Sequence, residues 1–199
     1  MAHRFMKTEP LIIVLSAPSG SGKTTLITRL LENVPRIKRS ISYTTRQPRE
    51  GETDKQDYIF VSREEFRERI ENGKFLEWEE NFGNYYGTSR EQIQEALEEG
   101  TDIILSIDVK GARTVKKDFP GSISVFIMPP SVEELATRLK KRNTDQKKQV
   151  SLRLKESRAE IASADEYDYL IVNENLEKAA EELRTIVETE RDRRKDNIK

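Results

Sequence analysis

The hydrophobic positions of this chain follow two patterns that alternate along its length. Four short runs are almost continuously apolar and rich in β-branched residues, and they cover residues 11–15, 103–107, 124–128 and 169–172. Such runs are typical of strands buried on both faces of a parallel sheet. Elsewhere apolar residues recur every three or four positions, which predicts helices over residues 23–32, 109–117, 132–141 and 174–193. Strands that alternate with helices predict an α/β fold with a mostly parallel sheet.

Two segments depart from this alternation. Residues 39–88 are rich in Ser, Thr, Tyr, Gly and Arg, with a strand-like piece at 58–61 and helical periodicity at 63–71. We expect them to form an inserted lobe with some antiparallel sheet. Residues 140–163 carry many Lys, Arg and Gln side chains, which fits either a solvated helical hairpin or a mobile basic lid.

Composition narrows the chemistry that this chain can perform. Its 199 residues include 35 Lys and Arg against 36 Asp and Glu, for a net charge of -1, with no Cys and one His. The missing Cys residues exclude a disulfide framework and a Cys nucleophile, and the lone His3 argues against a Ser-His-Asp triad or a His-rich metal site. Balanced charge argues against non-specific binding to duplex DNA. No apolar run approaches the ~20 residues of a membrane span, so we expect a cytoplasmic protein.

A phosphate-binding loop is predicted between the first strand and the first helix. The segment reads Ala-Pro-Ser-Gly-Ser-Gly-Lys-Thr over residues 17–24, with Ala17 where the P-loop pattern has its first Gly. Gly20 and Gly22 allow the backbone N–H groups to turn toward a phosphate. Lys23 adds positive charge near the β- and γ-phosphates, and the Thr24 hydroxyl can ligate Mg²⁺. This pattern predicts a nucleotide-binding protein.

A regulatory GTPase is a poor alternative for this P-loop protein. The segment from Asp108 to Gly111 has the D-x-x-G pattern of such proteins, but the chain contains no N-K-x-D motif for reading the base.

Residues 40–52 suggest a second phosphate site. Arg46 and Arg49 stand three residues apart across Pro48, and paired guanidinium groups suit a phosphate. Tyr58 and the tyrosines near residue 86 add hydroxyl donors, although Tyr clusters are more often packing residues. We assign Tyr43 and Tyr85 to packing.

Glu77 lies among large apolar side chains in the segment Phe-Leu-Glu-Trp of residues 75–78. A buried carboxylate needs a partner, and the N1–H and N2–H groups of guanine would match it as a pair of donors. The other interpretation is that Glu77 faces solvent in an alternating strand.

Taken together, these segments resemble the guanylate kinase family from about Leu11 to the last helix. The motifs that carry the resemblance are APSGSGKT, SISYTTRQPREGE, DYIFVS, FLEW, GNYYGT, IDVKGA and YLIVN. The resemblance implies transfer of the ATP γ-phosphoryl group to GMP, and by extension dGMP, with Mg²⁺ accompanying ATP. It also implies a P-loop NTPase core (residues 1–38, 89–137 and 164–199), a mixed α/β GMP-binding lobe (39–88) and a helical lid (138–163).

The resemblance assigns site residues position by position. ATP contacts are implied for Ala17, Pro18, Ser19, Gly20, Ser21, Gly22, Lys23, Thr24, Thr25 and Asn173, with Thr24 at the metal. The GMP phosphate is assigned to Arg46, Arg49, Tyr58 and Tyr86, and the guanine side to Ser42, Glu77, Thr88 and Asp108. The residues that act on the transferring group are Lys23, Arg46, Arg138, Arg142 and Arg153.

Three positions depart from the family pattern. Ala17 replaces the first glycine of the loop, Ser106 stands where the family often has an Asp, and Asn143 replaces a glycine of the lid turn. Asn tolerates left-handed backbone geometry, so the turn can persist.

Two alternatives stay open. The first is a guanylate-kinase-like module that has lost catalysis and binds a phosphorylated protein; the intact Gly22, Lys23 and Thr24 argue against it. The second is another nucleoside monophosphate kinase, which Glu77 disfavours. The sequence leaves the oligomeric state undetermined.

Overall fold

The computed structural model describes residues 9–81, 83–141 and 147–196, with side chains described outside 138–153. Its strands are β1 (Ile12–Ser16), β2 (Ile37–Arg39), β3 (Tyr43–Thr44), β4 (Ile59–Phe60), β5 (Phe75–Asn81), β6 (Asn84–Ser89), β7 (Asp102–Ser106), β8 (Ile123–Met128) and β9 (Tyr169–Val172). Its helices are α1 (Lys23–Asn33), α2 (Arg63–Glu71), α3 (Arg90–Glu98), α4 (Val109–Asp118), α5 (Val132–Lys141), α6 (Lys147–Ile161) and α7 (Leu176–Asp196).

Five strands form a parallel sheet in the order β2-β7-β1-β8-β9. The central strand β1 is buried on both faces, because Ile13 and Leu15 belong to one apolar cluster and Ile12 and Val14 to another. The first cluster includes apolar residues of α1 and α7, and the second includes those of α3 and α4. The predicted α/β fold with a buried parallel sheet is confirmed.

The inserted segment builds a second sheet in the order β4-β3-β6-β5. Strands β5 and β6 pair antiparallel, as do β3 and β6, whereas β3 and β4 are parallel. Phe66 of α2 is fully buried beneath this sheet, with its ring centroid 4.5 Å from that of Phe75. Tyr43 packs edge-on against Phe75, and Tyr85 stacks on Phe66. The antiparallel sheet and the packing roles of both tyrosines are confirmed.

Helices α5 and α6 contact each other and form the helical segment between β8 and β9. Arg138 and Arg153 lie on these helices, but their side chains are outside the described ones. Arg142 and Asn143 lie outside the described residues altogether. Among the helices that the structure describes, none combines the length and the apolar character needed to cross a membrane.

Candidate nucleotide and phosphate site

The loop between β1 and α1 has the backbone that its glycines predict. Gly20 and Gly22 have φ angles of 94° and 92°, which are left-handed values that favour glycine. Gly22 is the N-cap of α1 and has no side chain to cap the helix. The first N–H groups of α1 are therefore left for an anion, which the helix dipole also favours.

Asn173 holds this loop from behind. It follows β9, is only 5% exposed, and donates from Nδ2 to the carbonyl oxygen of Ser21 at 2.7 Å. A Cβ atom at Gly22 would come within 2.5 Å of the same Nδ2 atom. The side-chain amide of Asn173 thus occupies the space that a larger residue at position 22 would need.

Lys23 stands at the start of α1 between opposing charges. Removal from water lowers the pKa of Lys23, while the nearby carboxylates of Glu160 and Asp108 act in the opposite direction. Glu160 lies near the end of α6 and is half-buried, and its burial raises its own pKa to about 7 although Lys23 opposes this. The C-terminal end of α6 therefore brings a carboxyl group to the phosphate loop.

Arg46 leads a cluster of cationic and phenolic groups in the inserted lobe. Its Nη2 donates to Glu52 Oε1 at 2.8 Å, and its guanidinium lies 5.3 Å from the ring centroid of Tyr58. Tyr58 in turn meets Tyr86 edge-on, with centroids 6.0 Å apart. Although burial acts in the opposite direction, the hydrogen bond and charge of Glu52 raise the pKa of Arg46. The cluster gathers donors that suit a phosphate.

Arg49 joins the same loop through its backbone. Its N–H donates to Glu52 Oε2 at 2.8 Å, while the N–H of Glu52 donates back to the Arg49 carbonyl oxygen at 3.1 Å. The Arg49 side chain itself is exposed. Glu52 therefore fixes the loop that carries both arginines.

Glu77 reaches from β5 to the core. Its Oε1 accepts a hydrogen bond from the Thr88 hydroxyl, which lies opposite it on β6. Its Oε2 would be 2.8 Å from a Cβ atom at Gly111, so the carboxyl group lies against the first turn of α4. Burial raises the pKa of Glu77 to about 7; Thr88 opposes this rise, and the charges of Asp108 and Glu79 add to it. The interpretation of Glu77 as a solvent-facing residue of an alternating strand is wrong, because α4 covers this end of β5.

Asp108 is the N-cap of α4, with its Oδ1 accepting from the N–H of Gly111 at 2.9 Å. Its charge acts on both Glu77 and Lys23, so it lies near the Glu77 carboxyl group and the phosphate loop. Ser42 is buried at the end of the segment that enters the lobe, and its carbonyl oxygen accepts from Ile59 at 2.9 Å. Ser106, the departure at the end of β7, is half-buried beside Leu15.

The structure thus brings together three groups of the residues that the sequence singles out. Lys23 and the loop glycines form one group, Arg46 with Tyr58 and Tyr86 the second, and Glu77 with Thr88 and Asp108 the third. The sequence motifs did not single out Glu52 or Glu160. The signal for Glu52 was its short spacing from Arg46 and Arg49, whereas nothing in the pattern around Glu160 distinguishes it from the other acidic residues of a charged helix.

Comparisons with known proteins agree with this arrangement. A family model described as guanylate kinase matches residues 9–190. The guanylate kinase of Syntrophus aciditrophicus (strain SB) is 51% identical over 181 residues, which are 91% of this chain and 87% of that protein. That of Geobacter metallireducens is 45% identical over 186 residues, with 94% and 92% covered. The crystal structure of guanylate kinase from Anaplasma phagocytophilum superposes with a TM-score of 0.79 at 38% identity, covering 92% of this chain and 87% of that one.

The fold, the phosphate loop and the motifs therefore lead to one conclusion, and the resemblance drawn from the sequence is confirmed. The chain belongs to the guanylate kinase family.

Proposed function

We propose that this chain is a guanylate kinase that transfers the γ-phosphoryl group of ATP to GMP and forms ADP and GDP, with dGMP as a second acceptor. The observation that carries the proposal is the half-buried carboxyl group of Glu77, which accepts a hydrogen bond from Thr88 and lies against α4. Guanine presents N1–H and N2–H side by side, and these donors match the two oxygens of one carboxylate. Adenine lacks that pair of donors, so this carboxyl favours guanine.

The donor nucleotide is proposed to bind the loop of residues 17–25, with its phosphates at the start of α1. Lys23 would meet the β- and γ-phosphates as a point charge. Burial lowers the pKa of Lys23, and the negative charge of a polyphosphate would favour its ammonium form. Because the Asn173 amide is bonded to the Ser21 carbonyl, we infer that Asn173 acts on ATP by fixing the loop.

Mg²⁺ is proposed to accompany ATP. Thr24 is exposed in the first turn of α1, where its hydroxyl can serve as one ligand. Mg²⁺ commonly takes one or two protein oxygens, with phosphates and water completing its octahedron. Among the residues that the structure describes, no group of three or more His, Cys, Asp or Glu side chains could hold a metal ion. The bound ion would neutralise charge on the phosphates.

The acceptor is proposed to bind in the lobe of residues 39–88. Arg46, Arg49, Tyr58 and Tyr86 would hold the GMP phosphate, and Ser42, Glu77, Thr88 and Asp108 would surround the guanine. Glu52 acts as a positioning residue, since it orients the Arg46 guanidinium and the Arg49 backbone through separate oxygens.

The transfer step needs no nucleophile from the protein. A phosphate oxygen of GMP attacks the γ-phosphorus in line, the bond to the β-phosphate oxygen breaks, and ADP leaves. The chain contributes positioning and positive charge, for which we propose Lys23, Arg46 and the arginines of the lid, Arg138, Arg142 and Arg153. The proposed core comprises residues 1–38, 89–137 and 164–199. We propose that residues 138–163 form a lid that closes over ATP bound to this core and excludes water from the site of phosphoryl transfer.

A coupled assay of ADP formation tests this function with Mg-ATP and four acceptors, GMP, dGMP, AMP and UMP. We expect turnover with GMP and dGMP, and kcat/KM at least about a hundredfold lower with AMP and UMP. Lys23→Ala should lower kcat by about a hundredfold. Lys178→Ala, which removes an exposed lysine from α7, is the matched control and should leave kcat unchanged.

The absence of GMP-dependent ADP formation by the wild-type chain would overturn the proposal. Calorimetry would then separate the alternatives, because a phosphoprotein-binding module without catalysis need not bind ATP. Equal turnover with AMP and GMP would instead remove the role assigned to Glu77.

A further inference from the structure

Arg39 is the last residue of β2, at the carboxyl edge of the core sheet where the phosphate loop also lies. Side chains of a strand alternate between the faces of the sheet, so Arg39 shares the face of Ile37. Ile37 packs against the cluster that includes α1, whereas Lys38 points to the other face and pairs with Glu99 at 2.7 Å. Arg39 is therefore directed to the side on which α1 begins with Lys23.

The Arg39 guanidinium spans the core and the inserted lobe. Its Nη2 donates to the carbonyl oxygen of Asp57 at 3.2 Å, and Asp57 directly precedes Tyr58. Its Nε is buried and has no hydrogen-bond acceptor among the described residues. A buried donor without an acceptor is energetically unfavourable, and an anion bound beside Arg39 would supply the missing acceptor.

The charge of Arg39 acts on both phosphate sites. Desolvation lowers the pKa of Lys23, and the Arg39 charge lowers it further. Burial and the neighbouring Tyr86 raise the pKa of Tyr58, and Arg39 opposes that rise. Within the described part of the chain, no carboxylate forms an ion pair with Arg39, in contrast to Arg46, which pairs with Glu52. Two cations, Lys23 and Arg39, therefore stand near each other without a carboxylate bound to the guanidinium.

We propose that Arg39 is a further phosphate-binding residue, which contacts the phosphate of the acceptor nucleotide from the core side, opposite Arg46 and Arg49. An anion between Arg39 and the lobe would accept from the guanidinium and would offset its repulsion with Lys23. Arg39 would then hold the acceptor phosphate toward the donor. This inference rests on the proposed function, and it assigns to that function a residue that neither the sequence motifs nor the P-loop includes.

A purely structural role makes a different set of predictions. If Arg39 only ties β2 to the Asp57 carbonyl, its loss should lower the thermal stability of the unliganded protein. The loss of Arg39 should then weaken the binding of GMP and of guanosine alike, because a misplaced lobe affects contacts with the base and with the phosphate together. If Arg39 binds phosphate, its loss should weaken the binding of GMP and leave the binding of guanosine unchanged.

The experiment compares wild type with Arg39→Gln, Arg39→Lys and the control Lys38→Gln, which removes the neighbouring charge on the other face of the strand. Dissociation constants are measured by calorimetry for GMP, guanosine and ATP, together with steady-state kinetics and thermal midpoints. For Arg39→Gln we expect the Kd and KM of GMP to rise about tenfold or more, the contribution of a charged hydrogen bond. Guanosine affinity, ATP affinity and thermal midpoint should stay close to those of Lys38→Gln. Arg39→Lys should recover part of the GMP affinity through its charge.

Unchanged GMP affinity in Arg39→Gln would overturn the inference, and so would a parallel loss of GMP and guanosine affinity. If Arg39→Gln does not fold, Arg39→Lys decides by the same comparison, because lysine lacks the fork that a bidentate phosphate contact uses. The two proposals fail separately: an inactive wild type contradicts the proposed function, whereas an active wild type with an indifferent Arg39→Gln contradicts only this inference.

Discussion

At the scale of single residues, the site depends on carboxyl groups held out of water. Glu77 accepts from Thr88 and lies against Gly111, and burial raises its pKa to about 7. Guanine would offer two donors, which an ionised carboxylate accepts better than a protonated one. Guanine should therefore bind to the ionised form of Glu77, and the affinity for GMP should depend on pH near neutrality.

We predict that GMP affinity rises as pH increases through about 7 and that Glu77→Gln removes this part of the pH dependence. Glu77→Gln should weaken GMP by about tenfold to a hundredfold at pH 8, since one charged hydrogen-bonding partner is lost, and should leave ATP affinity unchanged. Calorimetric titrations from pH 5.5 to 8.5 check this, with the exposed Glu80→Gln on the same strand as control. Equal losses of GMP and ATP affinity would contradict it.

The raised pKa of Glu77 also makes the stability of the folded protein depend on pH. Because folding raises the pKa of Glu77 above the unfolded value of 4.5, its contribution is most favourable below that value. The contribution is lost as pH rises through about 7, the folded pKa. The thermal midpoint of Glu77→Gln, relative to wild type, should therefore rise between pH 5 and pH 8, while that of Glu80→Gln should not.

At the scale of secondary-structure elements, apolar periodicity predicted the buried strands and most helices to within a few residues. Helices 63–71 and 132–141 have the predicted bounds. Neither β2 nor α3 was predicted from the sequence. Strand β2 has three residues, two of them charged, so it shows no hydrophobic alternation. Helix α3 does have Ile93, Ala96 and Leu97 at helical spacing, so its pattern was present in the sequence.

The same limit explains which site residues the sequence could reveal. Local motifs carry the phosphate loop and the Arg46–Arg49 pair, because their contacts lie within a few positions. Arg39 and Glu160 acquire their surroundings through tertiary packing of β2 and α6 beside α1. No local spacing distinguishes such residues from ordinary surface charges.

Helix α4 carries a prediction of its own, because one residue both caps it and faces Glu77. Asp108→Ala should lose about 1 kcal/mol of stability with the N-cap, while Asp108→Asn should retain the cap. Both variants should lower the pKa of Glu77, because both remove a like charge beside it. Chemical denaturation gives the stabilities, and carboxyl ¹³C NMR titration gives the pKa, with the Glu77 resonance assigned by its loss in Glu77→Gln.

A stability loss of the same size in both variants would contradict the role of Asp108 as a cap. A Glu77 pKa that stays near 7 in both would show that the charge of Asp108 does not contribute to the raised value.

At the scale of the whole molecule, a net charge of -1 conceals a separation between a cationic site and a framework of internal ion pairs. In the proposed function, Lys23, Arg39, Arg46 and Arg49 would face phosphates from the core and the lobe. At the opposite edge of the sheet, Asp102 is 6% exposed and accepts from Leu11 N and Arg191 Nε, both at 2.7 Å. Arg191 also donates to the Pro35 carbonyl oxygen at 2.7 Å, so this pair joins β1, β7, α7 and the segment before β2.

Because the Asp102–Arg191 pair is distant from the proposed site, we expect its removal to lower the stability of the fold without changing the KM for GMP. Asp102→Ala should lower the free energy of unfolding by about 3 kcal/mol, because it leaves Leu11 N–H and the Arg191 guanidinium without their acceptor. Asp192→Ala, which removes an exposed ion pair with Lys195 from the same helix, should cost less than about 0.5 kcal/mol. Urea denaturation measures both, and KM for GMP at 25 °C should equal that of wild type in each.

Arg191→Ala should resemble Asp102→Ala, and the double variant should lose less than the sum of the two, since each single change removes the same contact. The pair lies at the amino ends of the strands, whereas the proposed phosphate site lies at their carboxyl ends. We therefore expect the loss of the pair to act through the folded population alone. Ligands that bind the folded state should therefore preserve the activity of Asp102→Ala at elevated temperature. GMP and ATP together should raise the thermal midpoint of Asp102→Ala as much as they raise that of wild type. A raised KM for GMP at a temperature where Asp102→Ala is fully folded would mean that the framework and the site are coupled.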